Sequence, residues 1–490
     1  MTEPHGPYDL AVIGGGINGA GIAFDAAGRG ARVLLLEKGD LASGTSSAST
    51  KLIHGGLRYL EHYEFALVRE ALKERETLWR MAPHAIRPLR LVLPVSGGQR
   101  PALLLRAGLF LYDHMGGRRL LPATSTIRLG THPAGAALQK GGLAFEYSDG
   151  WADDSRLVVL NARGAAERGA TVLTRHPLTS AVRGGDHWQL TAGGKQFSAR
   201  ALVNAAGPGV NSVIEAAAAP ALPPLRLVRG SHIVVDRLFD HDFGYFLQIG
   251  DGRIFFALPF EEDFTLIGTT DVDHKSGDPI AASEAEIDYL IDAANGWFRR
   301  KLDRADVRHS FSGVRPLVAA ANGKPEEASR GYRFDLSPHD LGAPLLTVLG
   351  GKLTSYRQLG EKALDLLASR LPGLGPAWTA QASLPGGDFP VDGAAALADR
   401  LGADYPFLDR AEALRIVRAY GTDAWRWLGE ARTRGDLGRD YGAGLSEAEV
   451  NWMRQQEWAM SADDILWRRS KLGLRLGPDA VRQLSGNLGA

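Results

Sequence analysis

Chemically active side chains are concentrated in the fifteen residues from Ser46 to Leu60, whose sequence is SSASTKLIHGGLRYL. This segment combines several hydroxyl groups with Lys51, His54 and Arg58. Arginine binds phosphate oxygens through a planar fork, and histidine changes its charge near neutral pH. A buried core strand would not carry such a mixture, because each polar side chain would need a partner once water is removed. A surface loop could carry it, so the role of this segment has to be inferred from the elements around it.

Two further segments place a polar side chain beside an apolar strand. His232 in RGSHIVV immediately precedes such a strand, where a histidine can accept a hydroxyl proton near neutral pH. Arg315 in SGVRPL precedes a proline, which favours an extended backbone and fixes the direction in which the side chain leaves. Taken alone, the two residues also fit a hydrogen-bonded histidine at a strand end and a solvated surface arginine.

The N-terminal residues predict a dinucleotide site. Residues 8–13 have the pattern of a buried strand, 17–29 that of a helix rich in alanine and glycine, and 32–36 that of a second strand followed by Glu37. Between the first strand and the helix, GGGING has the G-x-G-x-x-G spacing with Gly14, Gly16 and Gly19. These glycines permit a tight turn, close approach of a pyrophosphate and close helix packing, and Glu37 would accept bonds from both ribose hydroxyls. The motif does not distinguish NAD from FAD.

Two later segments repeat the order strand, glycine turn, helix. A short apolar strand at 201–203 runs into NAAGPG, and the segment LLTVLGGKLTSYRQLGEKAL lies near residue 350. Small residues at such turns let the backbone lie close to a ligand, and a helix N-terminus offers N–H groups to an anion. Each segment also fits a simple turn from strand to helix. No second G-x-G-x-x-G follows, which argues against separate domains for a flavin and a nicotinamide.

Composition excludes several classes of function. A chain of 490 residues should form two or three domains. Lys plus Arg number 56 and Asp plus Glu also number 56, so no positive excess favours nucleic acid. The absence of cysteine excludes thiol chemistry and iron–sulfur ligation, so redox chemistry would need an organic cofactor or a non-thiol metal site. The N-terminus has no basic, apolar targeting pattern and no segment approaches ~18 apolar residues, which predicts a cytoplasmic protein.

Seven segments, in order along the chain, resemble the FAD-dependent glycerol-3-phosphate dehydrogenases, the aerobic bacterial and mitochondrial family. They are GGGINGAGIAFDAAGRG, TSSASTKLIHGGLRYLEHYEFALVREAL, EYSDGWADDSRLV, GSHIVV, IGTTD, SGVRPL and LGGKLTSYR. The resemblance implies an enzyme that oxidises sn-glycerol 3-phosphate to dihydroxyacetone phosphate with FAD and passes electrons to a membrane quinone. It further implies a peripheral position on the inner face of the cytoplasmic membrane. The C-terminal helices could serve dimerisation or contact with a partner.

The resemblance also implies roles for individual residues. His232 is expected to take the proton of the C2 hydroxyl, and Lys352 to stabilise negative charge on the reduced flavin near N1. The residues expected to bind substrate are Arg58, Tyr59, Thr270, Arg315 and Arg330. The residues expected to bind the cofactor are Gly14, Gly16, Asn18, Gly19, Glu37, Ser46, Ser47, Ser49, Ala206, Gly207, Gly351, Lys352, Leu353 and Thr354. His54 is expected to pack or to form a hydrogen bond, and no metal site is expected.

The expected fold class is α/β, with three domains. A Rossmann-like FAD-binding domain of the D-amino acid oxidase and glutathione reductase type is expected from residues 8–75, 150–225 and 308–372. An antiparallel β domain for the substrate is expected from residues 76–149 and 226–307, and an all-α C-terminal domain from 373–490.

Three alternative functions stay open. A glycerol-3-phosphate oxidase would give electrons to oxygen, a nicotinamide-dependent dehydrogenase would use the same glycine motif, and a non-enzymatic module would only bind a dinucleotide. The segment 103–115 bears on the electron acceptor. Its apolar coverage fits an interfacial helix flanked by Arg100, Arg106, Arg118 and Arg119, or a helix packed inside the substrate domain.

Overall fold

The computed structural model describes residues 7–95, 101–249, 252–318 and 331–489. Its strands are β1 (Tyr8–Ile13), β2 (Val33–Leu36), β3 (Leu52–Ile53), β4 (Ile86–Pro94), β5 (Ser125–Arg128), β6 (Leu143–Ala152), β7 (Thr171–Leu173), β8 (Leu178–Arg183), β9 (Trp188–Ala192), β10 (Lys195–Asn204), β11 (Leu225–Asp236), β12 (Gly244–Gln248), β13 (Ile254–Phe260), β14 (Phe264–Gly268), β15 (Val272–Asp273), β16 (Val307–Val318), β17 (Tyr332–Leu336) and β18 (Leu345–Gly350). Its α-helices are α1 (Ile17–Gly28), α2 (Phe65–Met81), α3 (Ala102–Met115), α4 (Asp154–Ala166), α5 (Val210–Ala216), α6 (Glu284–Asn295), α7 (Tyr356–Leu367), α8 (Ala394–Asp404), α9 (Arg410–Tyr420), α10 (Ala424–Leu428), α11 (Glu447–Glu457) and α12 (Pro478–Leu488).

The first sheet has a parallel centre in the order β18, β10, β1, β2 and β7. Antiparallel β17 extends one edge, and the β8–β9 hairpin pairs with β10 through β9. Parallel strands are covered on both faces and carry continuous apolar runs, as in the fully buried VLLL of β2. Helix α1 packs against α4 and α7. The predicted Rossmann-like architecture is confirmed, and the predicted helix at 17–29 differs from α1 by one residue.

The carboxyl ends of the parallel strands meet at one edge of this sheet. Ile13 at the end of β1 is in register with Leu36 of β2 and with Asn204 of β10, and Asn204 is in register with Thr347 of β18. The three glycine turns predicted from the sequence follow β1, β10 and β18. They therefore lie side by side, in the place where parallel α/β sheets bind their ligands.

The second sheet is largely antiparallel, in the order β15, β11, β14, β13, β12, β4, β6 and β3. Strand β16 pairs with β11, and β5 pairs with β6. The pairing of β12 with β4 is parallel. Helix α6 packs against β11, and its buried residues join the apolar cluster behind that strand. The antiparallel β architecture predicted from the sequence is thus present in this second sheet.

Two strands within the segments predicted for the FAD-binding domain pair into the second sheet. Residues 308–372 were expected in the FAD-binding domain, but β16 pairs with β11 of the second sheet from Val318 to Val307. Strand β3, inside the predicted segment 8–75, pairs with β6 of the same second sheet. The first sheet resumes only at β17. Strand partners are chosen by backbone hydrogen bonds between distant residues, which a local pattern does not reveal.

Helix α3 is covered on one side only. Leu109 and Tyr112 are buried against the second sheet, whereas Leu103 is 82% exposed and Phe110 is 53% exposed. The exposed face therefore fits the interfacial helix, and the buried face fits the helix packed inside the substrate domain. Within the described ranges, no helix is both long and apolar enough to cross a bilayer. Arg100, expected beside this helix, lies outside the described residues.

Candidate active site

The glycine turn after β1 has the shape of a pyrophosphate cradle. Gly14 has a φ of +115°, and a Cβ there would lie 2.6 Å from the carbonyl oxygen of Ala205. A Cβ on Gly19 would collide with the carbonyl oxygen of Gly14. Gly16 differs, because the nearest described atom to its Cβ would be Ser46 Oγ at 3.1 Å. The first and third glycines are thus required by the fold, and the second keeps a space open at the start of α1.

Glu37 closes this cradle from the end of β2. Its Oε2 accepts a hydrogen bond of 2.6 Å from the backbone N–H of Gly15, and its Oε1 accepts one of 2.7 Å from the N–H of Gly39. The carboxylate is buried yet keeps unused lone pairs, since each oxygen can accept more than one bond. Glu37 therefore lies where the ribose hydroxyls of a dinucleotide would donate to it.

The three serines predicted to bind the cofactor differ in what they contact. Ser46 Oγ accepts the N–H of Ile17 at 2.9 Å, which places it at the N-terminus of α1 with its own proton directed elsewhere. Ser47 donates to the carbonyl of Gly44 at 3.4 Å. Ser49 donates to Asp154 at 2.7 Å, and the same carboxylate pairs with the buried Lys51. Ser46 therefore fits a phosphate contact, whereas the Ser49 hydroxyl stabilises an internal ion pair.

The turns after β10 and β18 complete the cradle. Gly351 has a φ of +102°, and a Cβ there would lie 2.7 Å from Asn18 Nδ2. Asn18 Nδ2 donates to the carbonyl of Gly350 at 3.1 Å, while Asn18 Oδ1 is buried and unpartnered among the described residues. Ala206 and Gly207 follow β10 in a short helical turn, where a Cβ on Gly207 would meet no described atom within 4 Å. An orphaned acceptor and open space at these turns fit a bound dinucleotide.

Thr354 joins this last turn to the polar segment at residues 46–60. Its Oγ1 accepts the N–H of His54 at 3.3 Å and faces the carbonyl of the same residue at 3.4 Å. Burial, reinforced by the positive charges of Lys352 and Arg75, lowers the pKa of His54 from 6.5 to about 4. A neutral histidine in this place agrees with the predicted packing role.

Lys352 lies beside the same segment. Its Nζ is 4.0 Å from the centre of the Tyr59 ring, and it precedes the short helical turn Leu353–Ser355. Tyr59 belongs to the turn Leu57–His62, in which the preceding residue, Arg58, is exposed. The structure thus brings Lys352 and Tyr59 together and places Arg58 at the surface of the same turn.

His232 is enclosed on the second sheet. Its ring stacks on Phe311 of the neighbouring strand, with the ring centres 5.0 Å apart and an angle of 15°. Its Nε2 lies 3.0 Å from Thr50 Oγ1, and its Nδ1 is buried with no partner among the described residues. Burial, with the positive charges of Arg315 and Lys51, lowers the pKa of His232 well below its ordinary value of 6.5. The ring is therefore neutral at pH 7, as a base must be.

Arg315 extends from β16 toward the end of β14. Its Nη1 lies 3.1 Å from Asp271 Oδ1, and its Nη2 donates to the carbonyl of Thr270 at 3.3 Å. The side chain is 39% exposed, so part of its fork faces solvent. A Cβ on Gly230 would collide with Arg315 Nη2, so a larger residue there would displace the guanidinium. Arg315 is thus a partly exposed cation close enough to depress the pKa of His232.

One predicted substrate residue directs its hydroxyl away from this site, and another lies outside the described residues. The Thr270 hydroxyl donates to Glu286 at 2.8 Å and accepts the N–H of Ser231 at 2.9 Å, so both of its hydrogen-bonding roles are used inside the fold. Thr270 contributes its backbone carbonyl to Arg315 instead. Arg330 lies outside the described residues.

Sequence reasoning missed Thr50, Phe311 and Lys51 as neighbours of His232. Thr50 and Lys51 belong to the polar segment at residues 46–60, but no local pattern shows that Thr50 contacts a residue 182 positions away. Lys51 Nζ lies 5.3 Å from the centre of the Phe311 ring. The alternation of β16, which places Phe311 opposite His232, is visible only once the strand pairing is known.

Comparisons with known proteins agree with this geometry. Residues 9–339 match the family model described as FAD dependent oxidoreductase, and residues 377–485 match the C-terminal domain of alpha-glycerophosphate oxidase. The chain is 51% identical to a glycerol-3-phosphate dehydrogenase of Pseudomonas aeruginosa, over 98% of this chain and 96% of that protein. It is 50% identical to a D-erythritol 1-phosphate dehydrogenase of Brucella abortus, over 97% of this chain and 96% of that protein.

A solved structure and a further sequence relative give the same result. The glycerol-3-phosphate dehydrogenase of Bacillus halodurans, complexed with FAD, superimposes with a TM-score of 0.74 at 28% identity, over 99% of this chain and 91% of that chain. The aerobic glycerol-3-phosphate dehydrogenase of Escherichia coli is 48% identical over 97% of this chain and 96% of that protein. The nicotinamide-dependent and non-enzymatic alternatives are thereby excluded. This chain belongs to the FAD-dependent glycerol-3-phosphate dehydrogenase family, and its cofactor is FAD.

Proposed function

We propose that this enzyme oxidises sn-glycerol 3-phosphate to dihydroxyacetone phosphate. The observation that carries the proposal is the pairing of a neutral, enclosed His232 with the partly exposed cation Arg315 on adjacent strands. A base and a phosphate-binding cation on adjacent strands suit a substrate that carries both a secondary hydroxyl and a phosphate. The relatives named above supply the substrate class.

In this mechanism His232 takes the proton of the C2 hydroxyl at Nε2. That nitrogen faces the segment at residues 46–60, where Thr50 Oγ1 lies within hydrogen-bond distance, whereas Nδ1 is enclosed by the protein. Stacking on Phe311 fixes the plane of the ring. When bound, FAD supplies the acceptor for the hydride that leaves C2.

The phosphate is held by arginine side chains. The Arg315 fork contacts Asp271 and the carbonyl of Thr270 on one side and has the planar geometry that two phosphate oxygens require. Arg58 adds a second exposed cation on the turn that carries Tyr59. Lys352, beside Tyr59, places positive charge next to the third glycine turn, where it would stabilise negative charge on a reduced flavin.

The experiment that tests the proposal compares three substrates in a dye-linked assay of the purified holoenzyme. We expect kcat/KM to be highest for glycerol 3-phosphate, lower for D-erythritol 1-phosphate, and lowest for glycerol, which lacks the phosphate. A preference for D-erythritol 1-phosphate would assign this chain to the substrate of its Brucella relative instead. Equal rates with glycerol would remove the arginines from substrate binding.

A second feature of the surface supports a proposal about the electron acceptor. Large apolar side chains are exposed on α3 and on the turn before α2, among them Leu103, Phe110 and Tyr63, which is 80% exposed. Basic side chains at Arg118 and Arg119 follow the same helix. An apolar face flanked by arginines suits anionic lipid headgroups. We therefore propose a peripheral position on the inner face of the cytoplasmic membrane with a quinone as acceptor. The homodimer stays a prediction.

A further inference from the structure

One turn of the C-terminal domain, Asp464–Arg469, contacts the rest of the enzyme at two separate points. The turn has π-helical geometry, which occurs mostly as single turns and often at functional sites. Its side chains divide between two targets: Arg468 and Arg469 contact Asp40, in the loop after β2 of the first sheet, and Trp467 contacts His309 on β16 of the second.

The first contact is a buried ion pair with Asp40. Arg469 donates from Nη1 to Asp40 Oδ2 and from Nη2 to Asp40 Oδ1, both at 2.8 Å, and neither side chain has appreciable solvent exposure. Arg468 Nε donates to Asp40 Oδ2 at 2.7 Å. Bidentate pairs of this kind fix geometry as well as charge. Two arginines of the C-terminal domain thus hold one carboxylate of the cofactor-binding domain.

Asp40 stands in the loop that carries the predicted ribose ligand. Glu37 accepts the N–H of Gly39 at 2.7 Å, and the N–H of Ala42 donates to the carbonyl of Gly15 at 2.9 Å. The loop is therefore attached to the first glycine turn on one side and to the C-terminal domain on the other. Arg175 adds a second link, because its N–H donates to the carbonyl of Gly39 and its guanidinium donates to Asp464.

The second contact is a column of rings that ends at His232. Trp467 stacks on His309 with the ring centres 3.9 Å apart and an angle of 13°. His309 and Phe311 are two residues apart on β16 and share one face of that strand, with ring centres separated by 6.2 Å. Phe311 in turn stacks on His232. The column covers one face of the His232 ring.

We propose that the turn Asp464–Arg469 makes the C-terminal domain a positioning element for both halves of the active site. Arg468 and Arg469 hold the loop of Glu37 against the FAD ribose, and Trp467 supports the ring column behind His232. The inference rests on the proposed function for the role of His232. The part of the inference that concerns FAD, here called the cofactor half, rests only on the family and on the contacts of Asp40.

The cofactor half is tested by the rate at which FAD leaves the holoenzyme on dilution, followed by flavin fluorescence. Arg469→Lys keeps the charge but loses the fork, and we expect release to be about tenfold faster, equivalent to about 1.4 kcal/mol. Arg415→Lys is the matched control, because Arg415 makes an equally bidentate pair with Glu449 inside the C-terminal domain. Its release rate should stay that of the unaltered enzyme.

Equal release rates for Arg469→Lys and Arg415→Lys would overturn the cofactor half. If Arg469→Lys does not yield folded holoenzyme, two other variants probe the same contact. Arg468→Lys changes the less buried arginine, and Asp40→Asn changes the carboxylate that both arginines bind. Faster release from both supports the proposal, and unchanged release from both overturns it.

The ring column is tested by the pH profile of turnover in Trp467→Ala and Trp467→Phe. Loss of the stack in the alanine variant should admit water behind Phe311 and raise the pKa of His232 toward its ordinary value, so the acidic limb moves to higher pH. The other groups facing this ring system are Arg315, Lys51 with its partner Asp154, and His309 with Asp463. These side chains are retained in both variants.

Phenylalanine at position 467 retains a ring on His309 and should restore the original profile. An unshifted acidic limb in Trp467→Ala would overturn the role of the column. If His232→Ala itself keeps the acidic limb, the proposed base is wrong, and the FAD release rates still decide whether the turn positions the cofactor loop.

Discussion

Thr50 Oγ1 lies 3.0 Å from Nε2 of His232, although the two residues are 182 positions apart. The contact joins the polar segment that follows the cofactor-binding helix to the strand that carries the candidate base. It also identifies the ring nitrogen that a hydroxyl group can approach. The proposed proton transfer takes place at this nitrogen.

Replacement of His232 by alanine should lower turnover by about a hundredfold or more, as expected when a positioned base is lost. The KM for glycerol 3-phosphate should change less, because phosphate binding is assigned to arginines. Thr50→Val is the companion variant, since it removes the hydroxyl but leaves the base. Stopped-flow reduction of the flavin by substrate measures the rate in both variants. A His232→Ala enzyme that reduces its flavin at the normal rate would place the base elsewhere.

Arg315→Lys should raise the KM for glycerol 3-phosphate by about tenfold or more while the flavin stays bound, because an ammonium group cannot reproduce a two-pronged contact with phosphate. Arg308→Lys on the same strand is the control, since Arg308 is exposed and pairs with Asp236. Steady-state kinetics and the flavin absorbance spectrum distinguish the two effects. Identical KM values for the two variants would exclude Arg315 from the phosphate site.

Gly16→Val should give a folded protein without FAD. The nearest described atom to a Cβ at this position is a serine oxygen at 3.1 Å, so the chain itself leaves room that a bound pyrophosphate would need. Gly108→Ala is the control, because its Cβ would meet no described atom within 4 Å on α3. The ratio of flavin to protein absorbance gives the result, with circular dichroism as the check on folding. Full flavin content in Gly16→Val would contradict the assigned cradle.

Membrane contact should be lost in the double variant Leu103→Asp and Phe110→Asp, with dye-linked activity retained. These two positions are chosen because their side chains are exposed, whereas Leu109 of the same helix is buried and its replacement would disturb the core. Val182→Asp, on the β8 hairpin, is an equally exposed control. The readout is co-sedimentation with vesicles of anionic phospholipid at low and high salt. Failure of the unaltered enzyme to bind, together with rapid reduction of oxygen, would favour the oxidase alternative.

Folding stability should fall as the pH drops below about 6.5, in part because of His84. Burial, with the positive charges of Arg156 and Arg163, lowers the pKa of His84 to about 3. Between about pH 6.5 and pH 3 the unfolded chain binds a proton that the folded protein does not, so unfolding is favoured as pH falls. In His84→Gln the difference in Tm between about pH 7.5 and about pH 5 should therefore shrink. His339→Gln, at an exposed site, is the control; equal differences in both variants would disprove the role of His84.

The sequence determined the cofactor half of the enzyme because its signals are local. A buried strand, three spaced glycines, a helix and a terminal acid each reflect the conformation of a few adjacent residues, and their order predicts the turn at Gly14 and the place of Glu37. The resemblance to a known family then supplied the substrate and the roles of distant residues such as His232.

Tertiary structure decided which of those side chains reach the site. The Thr270 hydroxyl donates to Glu286, and the Ser49 hydroxyl donates to Asp154 of an internal ion pair. A buried hydroxyl must form hydrogen bonds, and it forms them with the partners that the fold places beside it. The pairing of β16 with β11 places Phe311 on His232, and the turn at Trp467 closes the column from the C-terminal domain. Such contacts depend on strand register and domain packing over hundreds of residues, so no local pattern encodes them.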